Sequence, residues 1–267
     1  MDSLRKLTKQ ILEDGTVNLV IAHSRTQNGT IKPIFVQIPE MTEQIIYDEN
    51  CIQNLVAYLH KPEVKAYKNI AIVLNYPASR ALLQLFAESQ FSNINISAIV
   101  FGKDGSPEII NDVKNLENYV KENFKKYNPT ELEKINDLMA MPLEKRWDYW
   151  MDAVHDCIKC YACRSACPMC YCEKCTTDCN SPQWVSTSTH LLGNLEWHIM
   201  RAMHLAGRCV NCNECARACP MDIPLNLLTR KVNEDIEAKF GQVAGLSSEV
   251  DYAMSSYKFE DKENFIR

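Results

Sequence analysis

The chain has 267 residues, 46% of them hydrophobic and 24% charged, with a formal net charge of −5. This is the composition of a soluble globular protein, long enough for one large domain or two ordinary ones. No run approaches the ~18 apolar residues of a membrane span. The acidic balance, without a strongly basic stretch, argues against nucleic acid as the main partner.

In chain order, MDSLRKLTKQILEDG has apolar positions spaced along one helix face and interrupted by charge. It predicts a first helix rather than an export signal. VNLVIA (17–22), IFVQI (34–38), NIAIVL (69–74) and INISAIVF (94–101) are short apolar or β-branched runs that predict strands. Between them CIQNLVAYL (51–59) and SRALLQLFAES (79–89) have helical spacing. The alternation predicts an α/β domain over residues 1–110, with a mainly parallel sheet covered by helices. The turn after the third strand, LNYPASR (74–80), is where such a sheet presents a ligand loop. It contains no glycine, and a chain with only eight glycines has no GxGxxG or GxxxxGK[ST]. Close backbone approach to a pyrophosphate is then hard to arrange, so the reading is a docking domain, with Arg80 as a surface ion-pair residue.

Residues 111–156 are helical and charged and read as a connector. Thr130 and Glu133, after Pro129, have the spacing of a capping box. Trp147, Trp150 and Val154 recur at helical spacing and predict an apolar stripe packed on the core.

Of the thirteen cysteines, twelve lie between Cys157 and Cys219 and only Cys51 stands apart. Without an export signal these thiols belong in a reducing compartment, the cytoplasm, where such density points to metal rather than disulfides. Cys157, Cys160, Cys163 and Cys167, followed by Pro168, spell C-x2-C-x2-C-x3-C-P, and Cys209, Cys212, Cys215 and Cys219, followed by Pro220, spell it again. In this arrangement three cysteines of a tight loop ligate one cubane and the fourth ligates the other. The predicted ligand sets are therefore crossed: Cys157, Cys160, Cys163 and Cys219 for one [4Fe-4S] cluster, and Cys209, Cys212, Cys215 and Cys167 for the second.

The 41 residues between Cys167 and Cys209 include HLLGNLEWHIMRAMHLA (190–206), a strong helical stretch, and a further helix follows Pro224. With ACPMDIPLNLLTRK (218–231), this resembles the α-helical ferredoxin domain of succinate dehydrogenase iron–sulfur subunits, heterodisulfide reductase and the C subunit of the Rnf complex. The resemblance implies an all-α helical ferredoxin domain over residues 157–240. CIKCYACRSACPMCYCEKC with MHLAGRCVNCNECARACPMDIP also resembles iron–sulfur subunits of the formate dehydrogenase or coenzyme-reducing hydrogenase β-like type. That likeness implies an electron-transfer subunit of a larger anaerobic oxidoreductase of formate dehydrogenase, heterodisulfide-reductase-like, hydrogenase or methylene-tetrahydrofolate reductase type, with other subunits as partners. Members of that family often carry a glycine and a cysteine where this chain reads LNYPASR, which argues against the alternative of a flavin- or deazaflavin-binding oxidoreductase.

Cys170, Cys172, Cys175 and Cys179 remain, as C-x-C-x2-C-x3-C. They suit a structural zinc, a third [4Fe-4S] cluster or free packed thiols, and the spacing does not choose among these. Of His155, His190, His198 and His204, His204 lies one turn before the second motif, where an imidazole could donate to a cluster sulfide. Residues 241–267, with Tyr252, Tyr257, Phe259 and Phe265 among charges, predict a tail that docks on a neighbouring subunit. No Ser/His/Asp constellation or further cofactor motif accompanies the clusters, so no catalytic residue is assigned.

Overall fold

The computed structural model describes residues 1–124 and 129–249. Helix α1 (Asp2–Glu13) precedes strands β1 (Leu19–Arg25) and β2 (Ile31–Val36). After a 3-10 turn at Leu55–His60 come the short α2 (Pro62–Lys65), β3 (Asn69–Val73), α3 (Tyr76–Ala87), β4 (Asn95–Phe101) and β5 (Pro107–Ile110). Helices follow from there: α4 (Val113–Glu122), α5 (Pro129–Ala140), α6 (Leu143–His155), α7 (Ala162–Ser165), α8 (Leu191–His204), α9 (Glu214–Arg217) and α10 (Leu225–Phe240).

The five strands form one sheet in the order β2-β1-β3-β4-β5. The three central strands are parallel, as expected, but both edges are antiparallel, so the sheet is mixed. The reason lies in two tight connections. Thr26 N donates to Thr30 O at 2.9 Å between β1 and β2, and Gly102 N to Ser106 O at 2.9 Å between β4 and β5. A hairpin can only return antiparallel. The residues of β5, PEII, carry a proline, a glutamate and too little alternation to announce a strand.

Register sorts the side chains into two cores. Leu19, Ile70 and Ile96 form one row across β1, β3 and β4, and Ile21, Ile72 and Ala98 the next, on the face covered by α3 and α4. Val20, Ala22, Ala71, Val73 and Ile99 point to the other face, under α1. The helical spacing of residues 51–59 is realised only as the 3-10 turn, capped by Asn54, whose Oδ1 accepts from Val56 N at 3.2 Å. Pro62 disfavours helical backbone at Lys61 and separates this turn from α2.

The first core does not stop at the front domain. Met169, Leu205 and Val210 belong to it, and Cys167, Cys170, Cys209 and Cys212 pack against it, so α3 lies between the sheet and the cysteine-rich segment. Ala78 to Leu85 are consequently all buried, including Arg80, which is not the surface residue expected. Its guanidinium donates to Val210 O at 3.2 Å and Ala244 O at 2.6 Å. At the end of the same helix Glu88 accepts from Arg208 at 2.8 and 2.6 Å and from the Tyr171 hydroxyl at 2.6 Å. Burial alone would raise the pKa of Glu88, but the bonds from Arg208 and Tyr171 outweigh it and hold the carboxyl below its ordinary value.

Three local expectations come out differently. Helix α5 begins at Pro129, which puts Thr130 inside the first turn rather than at the cap. Trp150 packs on Ile135, Leu138 and Leu227 and Val154 is buried, but Trp147 is 54% exposed. The chain beyond α10 folds back on its own front domain as far as it is described: Gly245 N donates to Gln84 Oε1 at 2.7 Å and Ser248 N to Glu117 Oε2 at 3.1 Å. Tyr252, Tyr257, Phe259 and Phe265 lie outside the described residues.

Two substitutions test this coupling. Gly245 has φ +68°, and a Cβ there would fall 2.4 Å from the Arg80 carbonyl oxygen. Gly245→Ala should cost at least about 1–2 kcal/mol from the backbone conformation alone. Glu88→Ala, which strands a half-buried arginine, should cost about 2–3 kcal/mol. Denaturant midpoints equal to wild type would refute either statement.

Candidate iron–sulfur centre

The two cysteine motifs fold alike. In the first, Lys159 (φ 50°) and Tyr161 (φ 58°) are left-handed; in the second, the equivalent Asn211 (φ 58°) and Asn213 (φ 64°) are left-handed too. Each loop then runs into a one-turn helix, α7 or α9. Matching bonds close these turns: Ser165 N to Tyr161 O at 3.0 Å and Arg217 N to Asn213 O at 3.1 Å. A left-handed residue between helical ones makes successive amides converge into a concave, anion-binding nest. Asparagine tolerates that backbone, whereas lysine and tyrosine adopt it at a cost.

Helix α8 positions the first loop. Asn194, fully buried, donates its side-chain amide to Val154 O at 3.1 Å, His155 O at 3.3 Å and Cys157 O at 2.9 Å. It thereby ties the end of α6 to the loop that follows. One helical turn on, His198 is 3% exposed and neither ring nitrogen has a hydrogen-bond partner. Burial, with the nearby charges of Arg201 and Lys159, lowers its pKa to about 4, so the imidazole is neutral. Arg201 is 4% exposed, donates from Nη2 to Cys163 O at 3.1 Å and leaves Nε unpartnered.

The structure brings the cysteines together across the motifs. Cys157, Cys160 and Cys163 line one small cavity with Cys219 of the second motif, and His198 lines it as well. Cys167 stands among the thiols of Cys209, Cys212 and Cys215 and adds to the burial that pushes their pKa values up, that of Cys215 to about 12. Burial likewise raises Cys157 and Cys163. Such thiols stay protonated at neutral pH unless a metal draws the protons off.

Donor chemistry, nests and buried cation together fit a cubane. Eight sulfur donors lie in two groups of four, unpartnered polar hydrogens face the first group, and an arginine with no ion pair among the described residues lies beside both. Among the described residues no three His, Cys, Asp or Glu side chains converge as a single metal ion would require. A cubane distributes its four thiolates over four irons and needs no such convergence. The Cys170 to Cys179 group shows no such convergence either. Cys170, Cys172 and Cys175 instead line a separate cavity of about 380 Å³, and Cys179 does not line it.

Sequence reasoning singled out His204, which lines that second cavity, and passed over His198. His155 is exposed beside Asp156, and His190 caps α8, its Nδ1 accepting from Gly193 N at 3.2 Å. Asn194, His198 and Arg201 repeat at four- and three-residue spacing, a polar stripe on a helix whose same side carries the buried Trp197. That stripe was a readable signal. In the front turn Asn75 accepts from Ala78 N at 3.0 Å and donates to Cys51 O at 3.0 Å, and Arg80 is engaged as described above.

These features are those of a cysteine-ligated iron–sulfur site. Residues 170–224 match the family described as 4Fe-4S dicluster domain. The matched stretch contains the whole second motif together with Cys170 to Cys179, and leaves Cys157 to Cys167 outside. The chain is 34% identical over 107 residues to the F420-dependent formate dehydrogenase subunit beta of Methanocaldococcus jannaschii, a match covering 40% of this chain and 26% of that subunit. It is 29% identical over 105 residues to the F420-dependent formate dehydrogenase 1 subunit beta of Methanococcus maripaludis, covering 39% and 26%. The matches thus span about a quarter of each relative's length. No helix among the described residues is long and apolar enough to cross a membrane.

Asn194 gives a direct test of how the first loop is held. Asn194→Ala leaves three carbonyls without their donor and should destabilise the chain by about 1–3 kcal/mol in chemical denaturation. A loss under about 0.5 kcal/mol would show that the loop holds itself.

Proposed function

We propose that the chain relays single electrons through two [4Fe-4S] clusters between a catalytic subunit and a redox partner of a formate dehydrogenase-type complex. Cys157, Cys160, Cys163 and Cys219 hold one cluster, and Cys209, Cys212, Cys215 and Cys167 the other. The observation that carries this reading is the single cavity lined by three cysteines of the first motif and the last cysteine of the second. The partial likeness to two formate dehydrogenase β subunits favours that host over the heterodisulfide-reductase-like, hydrogenase and methylene-tetrahydrofolate reductase types. The one-turn helices α7 and α9 carry Cys163 and Cys215, the other ligands lie in the adjoining loops, and α8 and α10 pack beside them, in keeping with an α-helical ferredoxin arrangement over residues 157–240. Residues 1–110 serve as the scaffold, in a reducing, cytoplasmic setting with other subunits as partners. A flavin or deazaflavin in that front domain draws no support from the turn 74–80, whose polar groups bind the chain's own backbone.

When bound, the clusters supply one-electron chemistry. The chain's residues hold them, exclude water through Trp197, Ile223 and Leu225, and set their charge balance. With a cluster held in that cavity, His198 would have an N–H free to donate to it, and Arg201 would place a positive charge beside both clusters. A cation nearby favours the more negative, reduced state.

Paired substitutions test the crossed ligand sets by iron content and electron paramagnetic resonance of dithionite-reduced, anaerobically purified protein. Cys219→Ser combined with Cys157→Ser should lose no more iron than either alone, about four per chain, because both serve one cluster. Cys219→Ser combined with Cys209→Ser should lose about eight. The reverse pattern would mean that each motif closes its own cluster. Wild-type protein without iron would end the electron-transfer reading.

Arg201→Gln should make both clusters harder to reduce. Removing a charge worth about 1–2 kcal/mol corresponds to roughly 40–90 mV for one electron. Redox titration followed by paramagnetic resonance reads the shift, and unchanged potentials would remove Arg201 from this role.

A further inference from the structure

The second cavity is the feature that the two-cluster relay does not use. It has a volume of about 380 Å³, far more space than a single bound ion occupies, and is bordered by Trp197, Arg201, Met203 and His204 of α8. Cys170, Cys172 and Cys175 form one wall, and Arg164, Arg201 and Arg208 contribute from the others. Two of these cations already have carboxylate partners: Arg164 pairs with Asp178 at 2.5 Å and Arg208 with Glu88 at 2.6 Å. Arg201 has none among the described residues, and its Nε is buried without a partner. Arg201 also lies beside the two proposed cluster groups, but three guanidinium groups with two carboxylate partners leave the lining of the cavity net positive, which suits an anionic occupant.

We propose that this cavity binds a third [4Fe-4S] cluster, with Cys170, Cys172 and Cys175 as ligands from its wall and Cys179 completing the set. The inference rests on the relay proposed above, which it extends. A cubane with four thiolate ligands is net negative in both of its working oxidation states, which is the charge the arginines of the cavity are placed to offset. Cys179 does not line the cavity, but it closes the turn that begins at Cys175, its amide donating to Cys175 O at 3.0 Å, which keeps it next to the lining cysteines along the chain. Arg164 anchors that turn to α7 by a second bond, to Thr177 Oγ1 at 3.3 Å. Independent of the cavity, the match to 4Fe-4S dicluster domains starts at Cys170, so the stretch with the family's pattern includes this group.

The location also suits a relay. Cys170 N donates to Cys167 O at 3.1 Å, and Cys167 is a proposed ligand of the second cluster, so the two sites share a wall of the polypeptide. Electrons would then pass one at a time from the third cluster to the second along adjoining ligand loops. Pro168 and Met169 separate the ligands, and Met169 is buried in the core shared with the front domain. This end of the path therefore lies against α3.

Iron, sulfide and zinc analysis of the full chain purified without oxygen tests the proposal, with Mössbauer quantification of cluster iron in the same samples. Wild type should hold about twelve irons, and Cys172→Ser with Cys175→Ser should hold about eight with the remaining paramagnetic signals unchanged. Eight irons in wild type, unaffected by these substitutions, would overturn the third cluster while leaving the two-cluster relay standing. Zinc lost on the same substitutions would overturn it in favour of a structural ion. No iron at all would mark failure of the underlying relay instead. Should the double variant not fold, Cys172→Ala alone and the wild-type Mössbauer count decide the matter, since more than eight cluster irons cannot be held by the eight cysteines of the two motifs.

Discussion

A buried arginine surrounded by thiols is the constraint around which the back half of this chain is arranged. Arg201 lies near Cys163, Cys167, Cys170 and Cys215, with one hydrogen bond to a carbonyl and no carboxylate partner among the described residues. Neither component is comfortable alone. Burial raises the pKa values of Cys163 and Cys215, while hydrogen bonding from Cys170 and the charge of Arg201 lower that of Cys167, and a buried guanidinium without a carboxylate partner is itself costly. Inorganic clusters resolve both, since iron keeps the sulfurs as thiolates and the assembly as a whole remains negative. The folded back half is therefore best regarded as a holoprotein, in which cofactor binding and packing are one equilibrium.

From that centre the rest of the architecture follows outward through α8 and α3. Helix α8 carries Asn194, His198 and Arg201 along one stripe, so a single rigid element orders the first loop, faces its cavity and reaches the second group of cysteines. Helix α3 lies between the sheet and the cysteine loops, and its polar residues act as the fasteners. Arg80 takes carbonyls from two separate segments, Gln84 takes the amide of Gly245, and Glu88 takes Arg208 and Tyr171. Rows of isoleucine and leucine under α3 hold that helix against the sheet, so the sheet fixes the surface on which the cysteine loops rest.

Much of this was legible in the amino-acid sequence where the signal is local. Two C-x2-C-x2-C-x3-C-P motifs state their chemistry in the spacing, and the central strands announce themselves by β-branched runs. What escaped was set by tertiary context. β5 is too short and too polar to show, yet a tight turn at Gly102 to Ser106 lays it against β4. Arg80 looked like a surface residue because two of the carbonyls that accept its hydrogen bonds lie 130 and 164 residues away. Trp147 followed the helical period but faces outward, since α6 packs on α8 through only part of the predicted stripe.

The histidines show the same division more sharply. Proximity in sequence to the second motif singled out His204, which lines the cavity of Cys170, Cys172 and Cys175. The residue that faces a cysteine cavity with both nitrogens unpartnered is His198, two turns into a helix and about ten residues before Cys209. Its place is dictated by the phase of α8: Asn194 must face the loop it ties, and a residue four positions later then lies on the same side, one turn along the axis. A buried polar stripe on an otherwise apolar helix is thus an informative pattern in such chains. It marks the side on which the helix meets something that is not hydrocarbon.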